Sequence, residues 1–228
     1  MKKLLALLLA LSMLFAFVGC VDKDADDDDV RGSVVSGEKE EKEEKEEKDD
    51  KDEFSVGFIK DKVYENKYIG VGVKLPDKWR FYSDKEIQEI NGIASSYYDD
   101  KTAEIMANSD VIYDMMAVNN DSTGSVNIVL EKADVSNYDF ETMIAAAMPL
   151  TEQTYKNMGF TSFEYTIVEE AEISGKKVDC VAITVKNDTI TVYAMQFYFE
   201  CKHHIASFSI SHRNVEELAD IVENMYLI

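Results

Sequence analysis

Between Val178 and Glu200 the chain reads VDCVAITVKNDTITVYAMQFYFE, two β-rich runs joined at Asn187-Asp188. Val, Ile, Thr, Tyr and Phe dominate both runs, a composition that fits pleated, half-buried backbone, and Asn-Asp tolerates the backbone of a tight hairpin turn. A two-residue turn sets Lys186 opposite Thr189 and Cys180 opposite Met195. In that register Cys180, Met195, Phe197 and Phe199 share one face, and Val181, Ile183, Val192, Ala194 and Tyr198 share the other. Apolar residues on both faces predict a strand pair covered from two sides.

Outward from this hairpin, Phe163 to Ile173 and Ile205 to Ser211 read as flanking strands, which makes four in succession with turns at Ser174-Gly175, Asn187-Asp188 and Cys201 to His203. In the last strand Ala206, Phe208 and Ile210 alternate with Ser207, Ser209 and Ser211, so one face is expected to be buried and the other wet or lightly covered. Asn214 and Glu217 cap a final helix with Val215, Leu218, Val222 and Met225 inward. Before the four strands, Phe140, Met143, Ile144, Ala147, Thr151, Tyr155 and Met158 mark a helix from near Tyr138 to Gly159. Pro149 within it removes a backbone hydrogen bond and predicts a kink or restart. Further upstream, strands are expected at Tyr68 to Leu75 and Trp79 to Tyr82. A helix capped by Ser83 and Glu86 follows, carrying Ile87, Ile90, Ala94 and Tyr97, and then a hairpin of Val111 to Val118 with Val126 to Lys132. The order is ββαββαββββα.

The stretch Tyr64-Glu65-Asn66-Lys67-Tyr68 leading through Leu75-Pro76-Asp77-Lys78-Trp79, the helix after it and the four strands closed by a helix resemble the PsbP-like domain. Similar domains occur in bacterial lipoproteins of the DcrB type and in a Ran-binding nuclear transport factor, and the likeness covers nearly all of residues 64–228. The resemblance implies an α+β fold, an antiparallel sheet with helices on both faces (a PsbP-like α/β/α sandwich). It also implies a non-catalytic accessory or binding domain. It carries over no functional residue, because Pro76 and Trp79 look structural.

The N-terminus reads as a lipoprotein signal. Lys2 and Lys3 precede an apolar run from Leu4 to Val18, and Phe17-Val18-Gly19-Cys20 ends in a cysteine after a small residue. Sixteen residues, Leu4 to Gly19, reach roughly 24 Å as a helix, short of the roughly 30 Å core of a bilayer. Cleavage before Cys20 and diacylglyceryl transfer to its sulfur are therefore expected, and two acyl chains hold a protein firmly at a membrane. Phe17 departs from the Leu commonest at its position; an uncleaved anchor and an ordinary secretory signal are the competing readings. The resulting layout is a signal peptide at 1–19, the acylated Cys20 with an acidic tether through 53, and a globular domain at 54–228.

From Val21 to Glu53 the tether holds 17 Asp or Glu against 7 Lys or Arg, with a period of three in EEK, EEK, EEK, DDK from Glu40 to Lys51. So few apolar residues cannot offset the entropy of ordering, so disorder with transient helix is expected. The domain itself carries 28 acidic and 15 basic residues, and the whole chain a net charge of −21. Phosphate backbones and anionic headgroups are repelled, which disfavours nucleic-acid binding and charge-driven membrane docking alike, so no nucleic-acid partner is expected and partners should be neutral or basic.

Residues that invite chemistry are few. In the two-residue-turn register Cys180 and Cys201 lie roughly 20 Å apart, so two free thiols are predicted. His203, His204 and His212, with Cys201, invite a metal site, but adjacent His203 and His204 point to opposite faces and a closed site lacks ligands. Asp26 to Asp29 lacks the spaced ligands and glycine-centred loop of a calcium site. Asp121-Ser122-Thr123-Gly124 is one copy of a motif that acid proteases need twice, and a turn explains it. Tyr193, Phe197, Tyr198, Phe199, Tyr97 and Tyr98 line a pocket or an interface or, more simply, the core. No catalytic, cofactor-binding or metal-binding residue is assigned; Cys20 as the lipidation site is the single site residue. The expected function is a membrane-anchored extracytoplasmic lipoprotein whose domain binds or scaffolds an unknown envelope protein. The alternative is a solute-binding or sensing lipoprotein with a pocket for a small ligand.

Overall fold

The computed structural model describes residues 54–83, 85–87, 111–132, 139–201 and 203–228. The expected signal at 1–19, Cys20, the expected tether with Asp26 to Asp29, Ile90, Ala94 and Tyr97 of the expected helix, and Tyr98 lie outside them. Four short strands open the domain: β1 (Phe58–Lys60), β2 (Val63–Asn66), β3 (Val71–Lys74) and β4 (Trp79–Phe81). A long hairpin of β5 (Val111–Asn119) and β6 (Gly124–Lys132) precedes helix α1 (Phe140–Asn157). The meander β7 (Ser162–Ile173), β8 (Lys176–Lys186), β9 (Thr191–Cys201) and β10 (His204–His212) follows, then α2 (Val215–Glu223) and β11 (Met225–Leu227).

The strands form two antiparallel sheets, one ordered β4-β5-β6-β10-β9-β8-β7 and the other β1-β2-β3-β11. This overturns the expected PsbP-like α/β/α sandwich with helices on both faces. The face that carries Phe197, Phe208, Ile128 and Met115 packs on Tyr64, Val71 and Val73 of the small sheet, with α2 contributing Leu218 and Ile221. A second sheet thus does most of the covering that a helical layer was expected to do. Among the described residues α1 packs on the opposite face, setting Met143, Ile144, Ala147 and Met148 against Val181, Ile183, Val192 and Ala194.

The central hairpin differs in register from the reading above, and the reason is its loop. Asn187 Oδ1 accepts from the N–H groups of Thr189 and Ile190, both at 3.0 Å, which stretches the turn to residues 187–190. Lys186 pairs with Thr191 and Cys180 with Phe197. A slip of two residues keeps every side chain on its face. The two predicted face sets therefore hold, Cys180, Phe197 and Phe199 in one core and Val181, Ile183, Val192, Ala194 and Tyr198 in the other.

Three further expectations change. Ser207, Ser209 and Ser211 are 3%, 3% and 5% exposed, so the serine face of β10 is buried, not wet. Of the two outcomes expected at Pro149, a kink or a restart, the restart is absent, since helix α1 runs through it. Ala145, whose carbonyl loses its donor, and Pro149 itself are both exposed, where water can answer the carbonyl. The last helix ends at Glu223 and hands Met225 to β11, where it pairs with Val73. Gly72, one step along, leaves room for the Tyr226 ring, since a Cβ there would lie 2.5 Å from it.

The Ser83–Glu86 capping box read from sequence is present, and Asn214 caps the last helix through Glu216. Ser83 N–H donates to Glu86 Oε2 at 2.8 Å and Glu86 N–H to Ser83 Oγ at 3.4 Å, while Asn214 Oδ1 accepts from Glu216 N–H at 2.8 Å. No helix among the described residues is long and apolar enough to cross a membrane.

Candidate functional site

Among the described residues, a group of buried polar side chains lies on the α1 side of the large sheet. Alternation along β6, β10 and β9 puts Asn127, Val129 and Glu131, then Ser209, Ser207 and Ile205, then Gln196, Tyr198 and Glu200 on that face. Pairing sets them in rungs: Glu131 with Ile205 and Ile205 with Glu200, Ser207 with Tyr198, and Asp179 of β8 beside Tyr198. The first turn of α1 arrives over these rungs because Asp139 caps it, its Oδ1 accepting from Thr142 N–H at 2.8 Å. A small pocket results, lined by Asp139, Phe140, Met143, Asp179, Tyr198, Glu200 and Ile205.

The floor of this region is short of partners. The hydroxyls of Tyr198, Ser207 and Ser209 are buried and make no hydrogen bond. Glu131 is 2% exposed, and burial pushes its carboxyl up to about 8, so it is protonated at neutral pH. Burial, with Cys180 nearby, likewise raises Tyr198 well above the ordinary phenol range. The Phe140 and Tyr198 rings stand 5.3 Å apart at the pocket. Two hydrogen bonds from Thr142 draw the Asp139 carboxyl below the usual carboxylate range, so the rim carries negative charge.

The residues singled out from sequence are dispersed. His204 Nδ1 lies 2.8 Å from Tyr68 Oη, and its ring stacks at 5.1 Å on Phe54. His212, at the opposite end of β10, has Nδ1 2.9 Å from Asn214 N and Nε2 2.9 Å from Asn119 Nδ2. The described residues contain no group of three or more His, Cys, Asp or Glu arranged to hold a metal ion. Cys180 and Cys201 are free and buried. Asp121 sits in the β5–β6 turn, taking the Thr123 hydroxyl at 2.7 Å. Phe197 and Phe199 belong to the core, with Tyr193 packed against it.

Glu131 and the serines escaped the sequence reading. Glu131 ends an apolar run and looks like the first solvated residue of a strand, and the Ser alternation of β10 looks like an outer face. The available signal was three hydroxyls on one face of a strand placed between two others, where an inner position forces burial.

No family model matches the chain, and no curated protein matches it. Among solved structures it bears a distant resemblance to PA94 of Pseudomonas aeruginosa, a protein of unknown function, with a TM-score of 0.29 and 11% identity over 42% of this chain. The chain spans 63% of that protein. It also resembles LpqN of Mycobacterium tuberculosis, which is involved in cell envelope biogenesis, with a TM-score of 0.35 and 8% identity over 69% of this chain and 82% of that one.

Proposed function

We propose that this protein is a lipoprotein acylated at Cys20 and held at the outer face of the cytoplasmic membrane, where the domain at 54–228 binds another envelope component without catalysing a reaction. The observation that carries the proposal is the order Lys2-Lys3, a fifteen-residue run from Leu4 to Val18 that is apolar but for Ser12, Gly19-Cys20, and then 33 residues with 17 Asp or Glu against 7 Lys or Arg, a charge that anionic lipid repels. Two acyl chains then give lasting attachment, and the 33 residues from Val21 to Glu53 separate the domain from the acylated cysteine. The non-catalytic part is supported by where the histidines sit, His204 between Tyr68 and Phe54 and His212 between Asn119 and Asn214, each engaged in holding neighbouring elements together.

Metabolic labelling with an alkyne palmitate analogue tests the attachment. Label on the wild type and none on Cys20→Ala is expected; equal label on both removes the proposal. A stoichiometric protein co-purifying from detergent extracts tests the binding role. A small-molecule reading is favoured by one observation, the pocket beside Tyr198 with its unanswered hydroxyl.

A further inference from the structure

Two features of the pocket under the α1 N-terminus describe the same guest. Its rim holds Asp139, Asp179 and Glu200, and the ion pairs among the described residues, Arg80 with Glu86 and Lys156 with Glu152, neutralise none of them. Tyr198 lines it and is 6% exposed, and Ser207, its neighbour across the β9–β10 pairing, is 3% exposed; neither hydroxyl has a partner.

An anion is repelled by such a rim, and a neutral polar molecule leaves its charge unanswered. An ammonium group supplies donors alone, matching carboxylate oxygens and hydroxyl lone pairs. Its alkyl stem matches Met143 and Ile205, and the faces of Phe140 and Tyr198 attract a cation. The helix N-terminus opposes positive charge, but Asp139 sits on that terminus and offsets it. The domain's excess of 28 acidic over 15 basic residues adds long-range attraction.

We propose that this pocket binds an alkylammonium group, supplied either by a lysine side chain of a partner protein or by a free polyamine. The assignment rests on the reading of the domain as a binding module and names what that module recognises.

The full-length protein in detergent is titrated with spermidine and, separately, with the peptide Gly-Lys-Gly. Heat and the amide shifts of Asp179, Tyr198 and Glu200 are followed. Saturable binding of at least one probe is expected, weakened about tenfold or more by the double variant Asp179→Asn/Glu200→Gln. Tyr198→Phe, which removes only an unpartnered oxygen, also weakens binding while the protein stays folded. The control double variant Glu164→Gln/Glu172→Gln removes the same charge from exposed positions on β7 and leaves binding unchanged. Spermidine binding alone identifies a free polyamine as the source, and peptide binding alone identifies a lysine. Binding of neither probe, or equal weakening by the control, overturns the proposal. A null titration with Cys20-dependent palmitate labelling intact strikes the pocket alone; lost labelling with binding intact strikes the tether alone.

Discussion

Asp114 and Tyr64, fifty residues apart in the chain, are joined by a hydrogen bond from the Tyr64 hydroxyl to Asp114 Oδ2 that crosses from the small sheet to the large one. Asp114 reaches inward because it is the extra residue of a bulge in β5, where pairing with β6 slips between Tyr113 and Met115. Gly57 N–H donates to both of its oxygens, at 2.8 and 3.0 Å, and Asn66 Nδ2 donates to Oδ2 at 2.7 Å. One carboxylate thereby fixes β2, the segment before β1, and the bulge.

Asp114→Ala should therefore lower unfolding free energy by about 3 kcal/mol, since it strands a buried hydroxyl, an amide and a backbone N–H at once. Tyr64→Phe, which leaves the carboxylate its other two donors, should cost about 1 kcal/mol. Urea unfolding of both variants checks the ranking. Equal losses would show that the carboxylate is not the hub.

Gly124 stands against the imidazole of His212. A Cβ there would lie 2.1 Å from His212 Cδ2 and 3.0 Å from Ser211 O, and the ring cannot swing away while Asn119 and Asn214 hold both nitrogens. Gly124→Ala should destabilise by about 2 kcal/mol. Thermal melts read the effect; a change within about 0.5 kcal/mol, the range of an ordinary surface substitution, would mean that the ring yields.

Much of this fold was legible because its strands are long and their alternation is strict. Val181, Ile183 and Tyr198 fell on the correct face even though the Asn187 loop is two residues longer than expected, since parity survives a slip of two. Of the small sheet only β3 was legible, because β1, β2 and β11 have three or four residues each and Met225 continues the periodicity of α2. The site was hidden for a different reason. Glu131 and Ser207 are polar residues whose burial depends on which strands lie beside them, and strand order is a property of the whole chain.

The acid limb of stability should bear the mark of His212. Burial lowers its pKa first, with Arg213 acting the same way, against the upward pull of Glu217 and Asp121; Asn214 N–H donates to Nδ1, so the neutral ring keeps its proton on Nε2 and a second proton on Nδ1 would displace that bond. His204 is lowered too, by burial and then by Lys132 and His203. A histidine whose folded pKa is depressed binds its proton more readily when unfolded, so stability is full above the unfolded value of about 6.5 and falls as pH drops below it. Ring titration followed by NMR should place both midpoints below about 6.5. A His212 midpoint above that value would contradict the geometry.

Glu131 works in the opposite direction. Its folded pKa is raised to about 8 by burial, so the native state holds a proton that the unfolded chain has released. Stability from this group is therefore present below about pH 4.5, declines as pH rises towards 8, and levels above it. Glu131→Gln should flatten the slope between about pH 5 and 8, a difference on the order of a few kcal/mol. Denaturant unfolding across that range measures it, and an unchanged slope would place the alkaline loss elsewhere.

The thiols connect the domain to its anchor. Burial pushes Cys180 and Cys201 up to about 12 each, and neither is accessible enough for attack as a thiolate. The native protein should therefore react with Ellman's reagent at mildly alkaline pH far more slowly than a free thiol does. In denaturant the count should be two per chain if Cys20 carries a thioether-linked lipid, because the chain has three cysteines. The Cys20→Ala variant should also give two. A wild-type count of three would leave Cys20 as an unmodified thiol and break the case for acylation, while fast reaction in the native state would mean that the core around Phe197 opens readily.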